Sequence, residues 1–438
     1  MSTGFSVQMC KGWCNPDPTA SLKLLIVTQF FPPDYAPTGQ LIEELAHRLS
    51  LQGIDVRIFT GQPGYAFQDS TASPAETIDR VSVRRTRSIY LWPQRIRGKA
   101  LSGVLFCLRS TLHLLRHAHQ TQVLLLTTSP PFLQVLGYGI HRLFGLPYVC
   151  LIYDLYPDII TELGVLPEDS PLIQFWHGLN QRIWERAAAI VVLSETMKQR
   201  LISNHPELAP KITVIHNWAD PFLIQPIAKQ ANWFAQIHNL VDPFVVLYSG
   251  NTGRCHDLAT LLDAAKLLRQ EPIKFVFIGG GTQYQACQQQ AKDWQLEQVL
   301  FLPYQDKAVL PYSLTACDLS IVSIGPRMEG LVAPSKLYSA LAAGRPIAAI
   351  CDSDSYLNDL LREANCGQTF RHGDSQGLAR FIQQLNHDRA LAAELGRSGR
   401  QYLETHFSPE HIVQDYYHLL HRVIAKTQSG KAIRPKHS

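Results

Sequence analysis

Residues 245–265 read VVLYSGNTGRCHDLATLLDAA, and the order of residue types in that stretch decides the fold class. A short aliphatic run, of the kind buried on both faces of a parallel sheet, stops at Gly250 and Gly253, and an amphipathic helical pattern begins a few residues later. Strand, glycine turn and helix make half of a βαβ unit. Downstream the same kind of strand recurs as IKFVFIGGG (273–281), QVLFLPY (298–304), DLSIVSI (318–324) and PIAAI (346–350), each followed by a helix-like segment. Upstream a second series runs through LKLLIVTQF (22–30), DVRIFT (55–60), QVLLLTT (122–128), PYVCLIYD (147–154), AAIVVLS (188–194) and KITVIHN (211–217). Its first helix lies in TGQLIEELAHRLSLQG (38–53), where Leu41, Ile42, Leu45 and Leu49 share a face and Gly53 supplies the stop.

Two series in a chain of 438 residues predict two Rossmann-like, doubly wound α/β domains facing each other across a cleft. The expected boundaries are an N-terminal extension (1–21), a first domain (22–220), a second domain (221–408), a last helix crossing back to the first domain (409–427) and a tail (428–438). The proline-rich segment 217–243 has no clear periodicity and reads as the connection. Ligands of such sheets bind at the carboxyl ends of the strands.

The glycine turn of 245–265 does not fit G-x-x-x-x-G-K-[ST], which excludes phosphate cradling of the ATPase kind. Nor is it G-x-G-x-x-G with an acidic partner about twenty residues on, so a nicotinamide dehydrogenase loses its main support. A formal charge of +4, with no basic tail joined to a recognition motif, excludes nucleic acid as the expected partner. The nine cysteines lack paired spacing and mostly sit in apolar runs, so neither a disulfide framework nor a metal site is expected. With no signal-peptide pattern and no uninterrupted apolar run of about eighteen residues, the expected location is the cytoplasm.

Three stretches carry candidate chemistry. In FFPPDYAPTGQLIEEL (30–45), prolines stiffen a loop that delivers Thr38 and Gly39 to the first helix; a loop needed only for packing is the alternative. In 245–265, Gly250, Gly253 and Arg254 are placed for a phosphate. In GPRMEGLVAPSKLYSALAAGRPIAAI (325–350), Lys336 opens a helix that Gly344 ends. A cation there opposes the helix dipole unless an anion is shared, which a diphosphate would provide; a solvated surface lysine is the alternative.

Taken together, the two series, the Pro/Gly loop, IHNWADPF (215–222), YSGNTGRCHDL (248–258) and APSKLYSALAAGRPI (333–347) resemble the family-4 retaining glycosyltransferases of the GT-B fold, over roughly residues 22–425. Within that family they are similar to the bacterial exopolysaccharide enzymes that build colanic acid or transfer fucosamine. The resemblance implies a nucleotide-diphosphate sugar held by the second domain, a lipid-linked or oligosaccharide acceptor held by the first, and no metal or other cofactor.

It also implies roles for residues. Gly250, Asn251, Gly253, His256, Gly280, Pro334 and Ser335 would approach the donor, Tyr304 its base and Ser339 its ribose. Asn251 and His256 stand where many members carry an arginine and a lysine, which leaves Arg254 and Lys336 to bear the diphosphate charge. The two glutamates usual in the family fall on Leu331 and Ser339, with Glu329 able to reach the space of the first. Asp154 and Asp158 fall near the transferred sugar and acceptor; for Asp158, helix capping is the alternative. A donor-binding scaffold or a nucleotide-sugar epimerase are the other functional readings, and donor turnover separates them.

From Arg80 to Tyr153 there are ten Lys/Arg and no Asp or Glu. Within 84–119, Tyr90, Leu91 and Trp92 stand among six basic residues, and Val104, Leu105, Leu108, Leu112 and Leu115 form one helical stripe with Arg109, His113 and Arg116 off it. This predicts peripheral contact with the anionic inner face of the plasma membrane. The alternative packs the same stripe on the first domain's sheet.

Overall fold

The computed structural model describes residues 21–34, 36–63, 72–86 and 96–432, with the side chains of 96–100 and 430–432 outside that description. The first sheet contains β1 (Lys23–Val27), β2 (Asp55–Thr60), β3 (Ala75–Ile78), β4 (Val81–Arg85), β5 (Val123–Leu126), β6 (Tyr148–Ile152), β7 (Ala189–Val192) and β8 (Ile212–Val214). Their spatial order is β3-β4-β2-β1-β5-β6-β7-β8, parallel except for the antiparallel β3–β4 pair. The second sheet contains β9 (Phe244–Asn251), β10 (Ile273–Gly280), β11 (Val299–Leu302), β12 (Leu319–Ser323), β13 (Ile347–Ile350) and β14 (Gly367–Phe370), ordered β11-β10-β9-β12-β13-β14 and parallel throughout.

The central strands are buried on both faces, which is why they read as continuous apolar runs: Leu24–Val27 and all of β5, β6 and β7 are buried. Each such side chain withdraws from water a surface worth about 1.5–3 kcal/mol, so these runs set the layer order before any polar contact does. In both sheets the strand order reverses beside the first strand of the series, between β1 and β5 and between β9 and β12. A crevice opens at the carboxyl ends of the strands at such a reversal.

The connection 217–243 is not a loose tether. It folds into short helices at Lys229–Ala231 and Trp233–Ile237 and docks on the second domain, where Lys229 Nζ meets Asp318 Oδ2 at 2.6 Å and Asn232 is fully buried. The last helix, Pro409–Ala432, lies against the helix Pro37–Leu51 and buries Ile412, Val413, Tyr416, Leu419, Leu420 and Val423. Arg48 joins them, reaching Glu410 at 2.6 Å and Asp220 at 3.1 Å.

The helix Ile96–His117 turns Phe106, Ser110 and Leu114 inward, with Gly103 against Pro130. The stripe faces out: Leu101, Val104, Leu108, Leu112 and Leu115 are exposed, Leu108 by 58%, and Leu105 is half-buried. Packing of the stripe on the sheet is therefore corrected, because the interlaced row 103, 106, 110, 114 occupies that place. Tyr90, Leu91, Trp92 and Arg95 lie outside the described residues. Among the described residues no helix is long and apolar enough to cross a membrane.

Candidate functional site

Between the two sheets lies a cleft of about 1040 Å³ lined by both domains. From the second domain it receives Ser249, Gly250, Asn251, Gly253, His256, Tyr304, Pro334, Ser335, Lys336 and Ser339; from the first, Phe31, Thr38, Tyr153, Asp154 and Tyr156.

The second-domain wall is built at the β9/β12 reversal. After β9 the chain turns through Gly250, whose φ of +128° suits glycine and whose missing Cβ would lie 3.2 Å from Lys336 Cε. The loop following β12 locks onto this turn: Gly325 N donates to Cys255 O at 2.7 Å and Asp257 N to Ser323 Oγ at 2.8 Å. Lys336, first residue of the helix Lys336–Ala342, thereby lies over the end of β9. Its Nζ donates to Tyr248 Oη at 2.8 Å, sits 3.4 Å from His256 Nε2 and 4.4 Å from the centre of the Tyr248 ring.

His256 Nδ1 donates to Ser323 O at 2.7 Å, which leaves Nε2 as an acceptor facing the lysine. Burial, and then the Lys336 charge, push the His256 imidazolium down to about 3, so this ring is neutral near pH 7. Burial also pushes the Lys336 ammonium down to about 7. No carboxylate pairs with Lys336 among the described residues. In Lys336 the wall therefore offers a cation without a carboxylate partner, which an entering anion would hold in its charged form.

The opposite wall is acidic. Asp154 follows β6, its main chain forms an antiparallel bridge with Val332, and Leu155 N donates to Leu331 O at 2.9 Å. The loop that carries the acid is thus bonded to the domain that carries the lysine. Burial pushes the Asp154 carboxyl up to about 6. Lys307 Nζ and Glu43 Oε2 also meet across the domains at 3.4 Å.

Five sequence-predicted positions are placed elsewhere. Arg254 is exposed, outside the cleft lining, and donates to Leu163 O of the first domain at 2.6 Å, so the expectation that it faces the diphosphate is corrected to a domain contact. Glu329 turns to the first domain and accepts from Thr196 Oγ1 at 2.6 Å instead of entering the donor space. Asp158 opens the helix Asp158–Glu162, behind the lining, and faces Arg200 at 3.7 Å. Gly39 packs beneath the loop, where a Cβ would come within 3.1 Å of the Phe30 backbone, while Thr38 beside it does line the cleft. Gly280 lies under the Tyr304 ring and accepts from its hydroxyl at 3.1 Å. Ser339 lines the cleft with its hydroxyl turned back to Lys336 O at 3.1 Å.

Sequence reasoning missed Tyr248, which sits inside an apolar strand run and reads as core. It also missed Asn217, a lining residue whose buried Oδ1 has no hydrogen-bond partner among the described residues. The signal for Asn217 was its place at the end of the last apolar run of the first series.

The model described as "Glycosyl transferase 4-like domain" matches residues 38–218, and the one described as "Glycosyl transferases group 1" matches residues 229–402. The probable glycosyltransferase WbjE of Pseudomonas aeruginosa is 25% identical over 291 residues, 66% of this chain and 72% of that protein. The putative colanic acid biosynthesis glycosyl transferase WcaI of Escherichia coli is 24% identical over 339 residues, 74% of this chain and 82% of that protein. Among solved structures, Anabaena HepE in complex with UDP and glucose is similar with a TM-score of 0.66 at 17% identity, over 91% of this chain and 99% of that one.

Proposed function

Because the chain belongs to the family-4 glycosyltransferases of the GT-B fold, we propose that it moves a sugar, with retention of anomeric configuration and without a metal, from a nucleoside-diphosphate donor to a lipid-linked or oligosaccharide acceptor in cell-surface polysaccharide synthesis. The observation that carries this reading is Lys336, a cation without a carboxylate partner in the wall of the interdomain cleft. In the reaction the bond between the anomeric carbon and the diphosphate oxygen breaks first, and the acceptor oxygen bonds the same face of that carbon. A leaving-group oxygen takes the acceptor's proton. Negative charge grows on the diphosphate, beside the Lys336 ammonium, and positive charge on the sugar ring, toward Asp154; fixed charges placed where charge develops give the largest rate effects.

HepE was crystallised with UDP and glucose, which makes UDP-sugars the first donors to try. The test incubates the purified full chain with UDP-, GDP-, ADP- and dTDP-sugars and acceptor lipid extracts, following nucleotide release and the anomeric configuration of the product. Turnover of one donor with retention is expected. Tight binding of a donor with no turnover would replace the enzyme by a scaffold.

The same reading places the protein in the cytoplasm, on the inner face of the membrane that carries its acceptor. What supports it is the outward stripe from Leu101 to Leu115, flanked by Arg109 and Arg116 and continuous in sequence with the acid-free basic segment. Anionic lipid attracts about 1 kcal/mol per nearby Lys or Arg, enough for reversible docking when joined to apolar insertion. Sedimentation with anionic and neutral liposomes, parent against Leu108→Ser/Leu112→Ser, is expected to show binding to anionic vesicles that the double variant loses. Equal recovery with both lipids for both proteins would remove the membrane contact and leave the transferase reading intact.

A further inference from the structure

We propose that Tyr248, a fully buried strand residue behind the cleft wall, is a positioning residue for the donor diphosphate: its ring and hydroxyl, with His256 Nε2, aim the Lys336 ammonium at the diphosphate. The inference rests on the donor reading above and names the residue that holds that reading's cation in place.

Four rotatable bonds let an ammonium wander, so a lysine that meets one oxygen atom needs its head held. Here one hydroxyl does two jobs. Tyr248 Oη accepts from Lys336 Nζ at 2.8 Å and donates its own proton to Asn251 O, also at 2.8 Å. The turn at the carboxyl end of β9 and the lysine are thus tied to the same atom. The Tyr248 ring lies under the ammonium at 4.4 Å, and Phe277 backs that ring at 6.0 Å.

An ammonium has three N–H bonds. Tyr248 Oη takes one at 2.8 Å, whereas His256 Nε2 at 3.4 Å and Asn251 O at 3.5 Å are long contacts, one of which an entering diphosphate oxygen replaces. Every group holding the head is neutral: a phenol whose ionisation burial pushes far out of range, an imidazole kept neutral, and the carbonyl of Asn251 at 3.5 Å. Neutral acceptors orient a cation without cancelling its charge, whereas a carboxylate in the same place would compete with the diphosphate. The other titratable groups facing this cluster are Tyr304 and Cys287 beside Tyr248, Cys255 on the loop, and Asp154 across the cleft.

A tyrosine needed only for packing predicts that phenylalanine serves equally well. A positioning residue predicts otherwise, and the pH dependence shows it. Lys336 titrates near 7 in the empty site, so nucleotide affinity holds at acid pH and declines as pH rises past 7. Removing the Tyr248 hydroxyl takes away an acceptor that favours the charged form, so the decline moves to lower pH.

The experiment uses the full chain. From UDP, GDP, ADP and dTDP, the diphosphate that the parent binds tightest is titrated calorimetrically between pH 6 and 9 against parent, Tyr248→Phe, Lys336→Met and the double variant. Tyr248→Phe is expected to melt within a few degrees of the parent and bind about tenfold more weakly at pH 8, the loss of one charge-assisted hydrogen bond. Its midpoint moves acid, and in the Lys336→Met background the same change costs less than about twofold, because the tyrosine acts through the lysine. Parent-like affinity and midpoint in Tyr248→Phe, or an equal loss in both backgrounds, would overturn the inference while the donor reading stands. A parent that binds none of the four diphosphates overturns the donor reading itself. Should Tyr248→Phe fail to fold, His256→Leu removes the other acceptor and is judged by the same midpoint and the same double variant.

Discussion

The two walls of the cleft are built from opposite materials. The second-domain wall is glycine, serine and proline around the half-buried Lys336, locked by short bonds between the loops after β9 and β12. The first-domain wall is a proline-bearing loop and large aromatic residues around Asp154, whose loop is bonded both to Thr128 of its own domain and to the other domain. On the proposed donor reading, the diphosphate side is preformed within one domain and the sugar side is completed where the two domains meet.

The largest effect that could break this contrast comes from Lys336→Ala. Removing the cation aimed at the leaving group is expected to lower kcat by about 10²–10³-fold, the range for losing one preorganised donor at a charged transition state. Rates with saturating donor, beside unchanged circular dichroism, decide it; a loss below about fivefold would move the leaving-group role elsewhere.

Next comes the pH profile. The proposed mechanism needs Asp154 ionised and Lys336 protonated in the free protein, and burial sets their values at about 6 and about 7. For both, the sign follows directly: activity is lost as pH falls through 6 and as it rises past 7, giving a narrow bell in kcat/KM. Asp154→Asn should cost about ten- to a hundredfold and flatten the acid limb. An acid limb that survives in this variant assigns it to another group.

Arg254→Ala sharpens the comparison from the other direction. An exposed arginine whose bond goes to Leu163 O belongs to domain contact, so the expected loss is under about tenfold and appears mainly in KM. An effect as large as that of Lys336→Ala would return Arg254 to the diphosphate. Smallest of all is the expected response to a chelator: excess EDTA should leave the rate within about twofold, since the second wall carries its own cation. Activity abolished by chelator and restored by manganese would refute the metal-free mechanism.

The fold was legible because both sheets are buried on both faces. Runs such as PYVCLIYD and IKFVFIGGG fit a strand covered on both faces. The strands that escaped are those without that signature. β3 and β4 form an edge hairpin with alternating burial, turned by Asp79 and Arg80 at positive φ without the usual glycine, and β14 is an edge strand reading GQTF. In the site, Lys336 could be singled out because a cation at a helix start is locally anomalous. Arg254 could not be judged, since its partner is a carbonyl about ninety residues away on the other domain. Tyr248 was hidden for the reverse reason: it lies in a core strand, and only its hydroxyl and one ring face meet Lys336.

The bridge between Asp154 and Val332 gives the molecule a natural gauge of its own opening. The Leu155 amide is bonded to an oxygen of the opposite domain, so its proton is shielded from water only while the domains are together. Amides inside β6, a few residues upstream, are bonded within the first sheet and indifferent to that motion. The exchange rate at Leu155, relative to that of an unprotected amide, therefore reads out the open fraction, with Leu151 as the control. A donor that closes the cleft should slow exchange at the first amide and leave the second untouched.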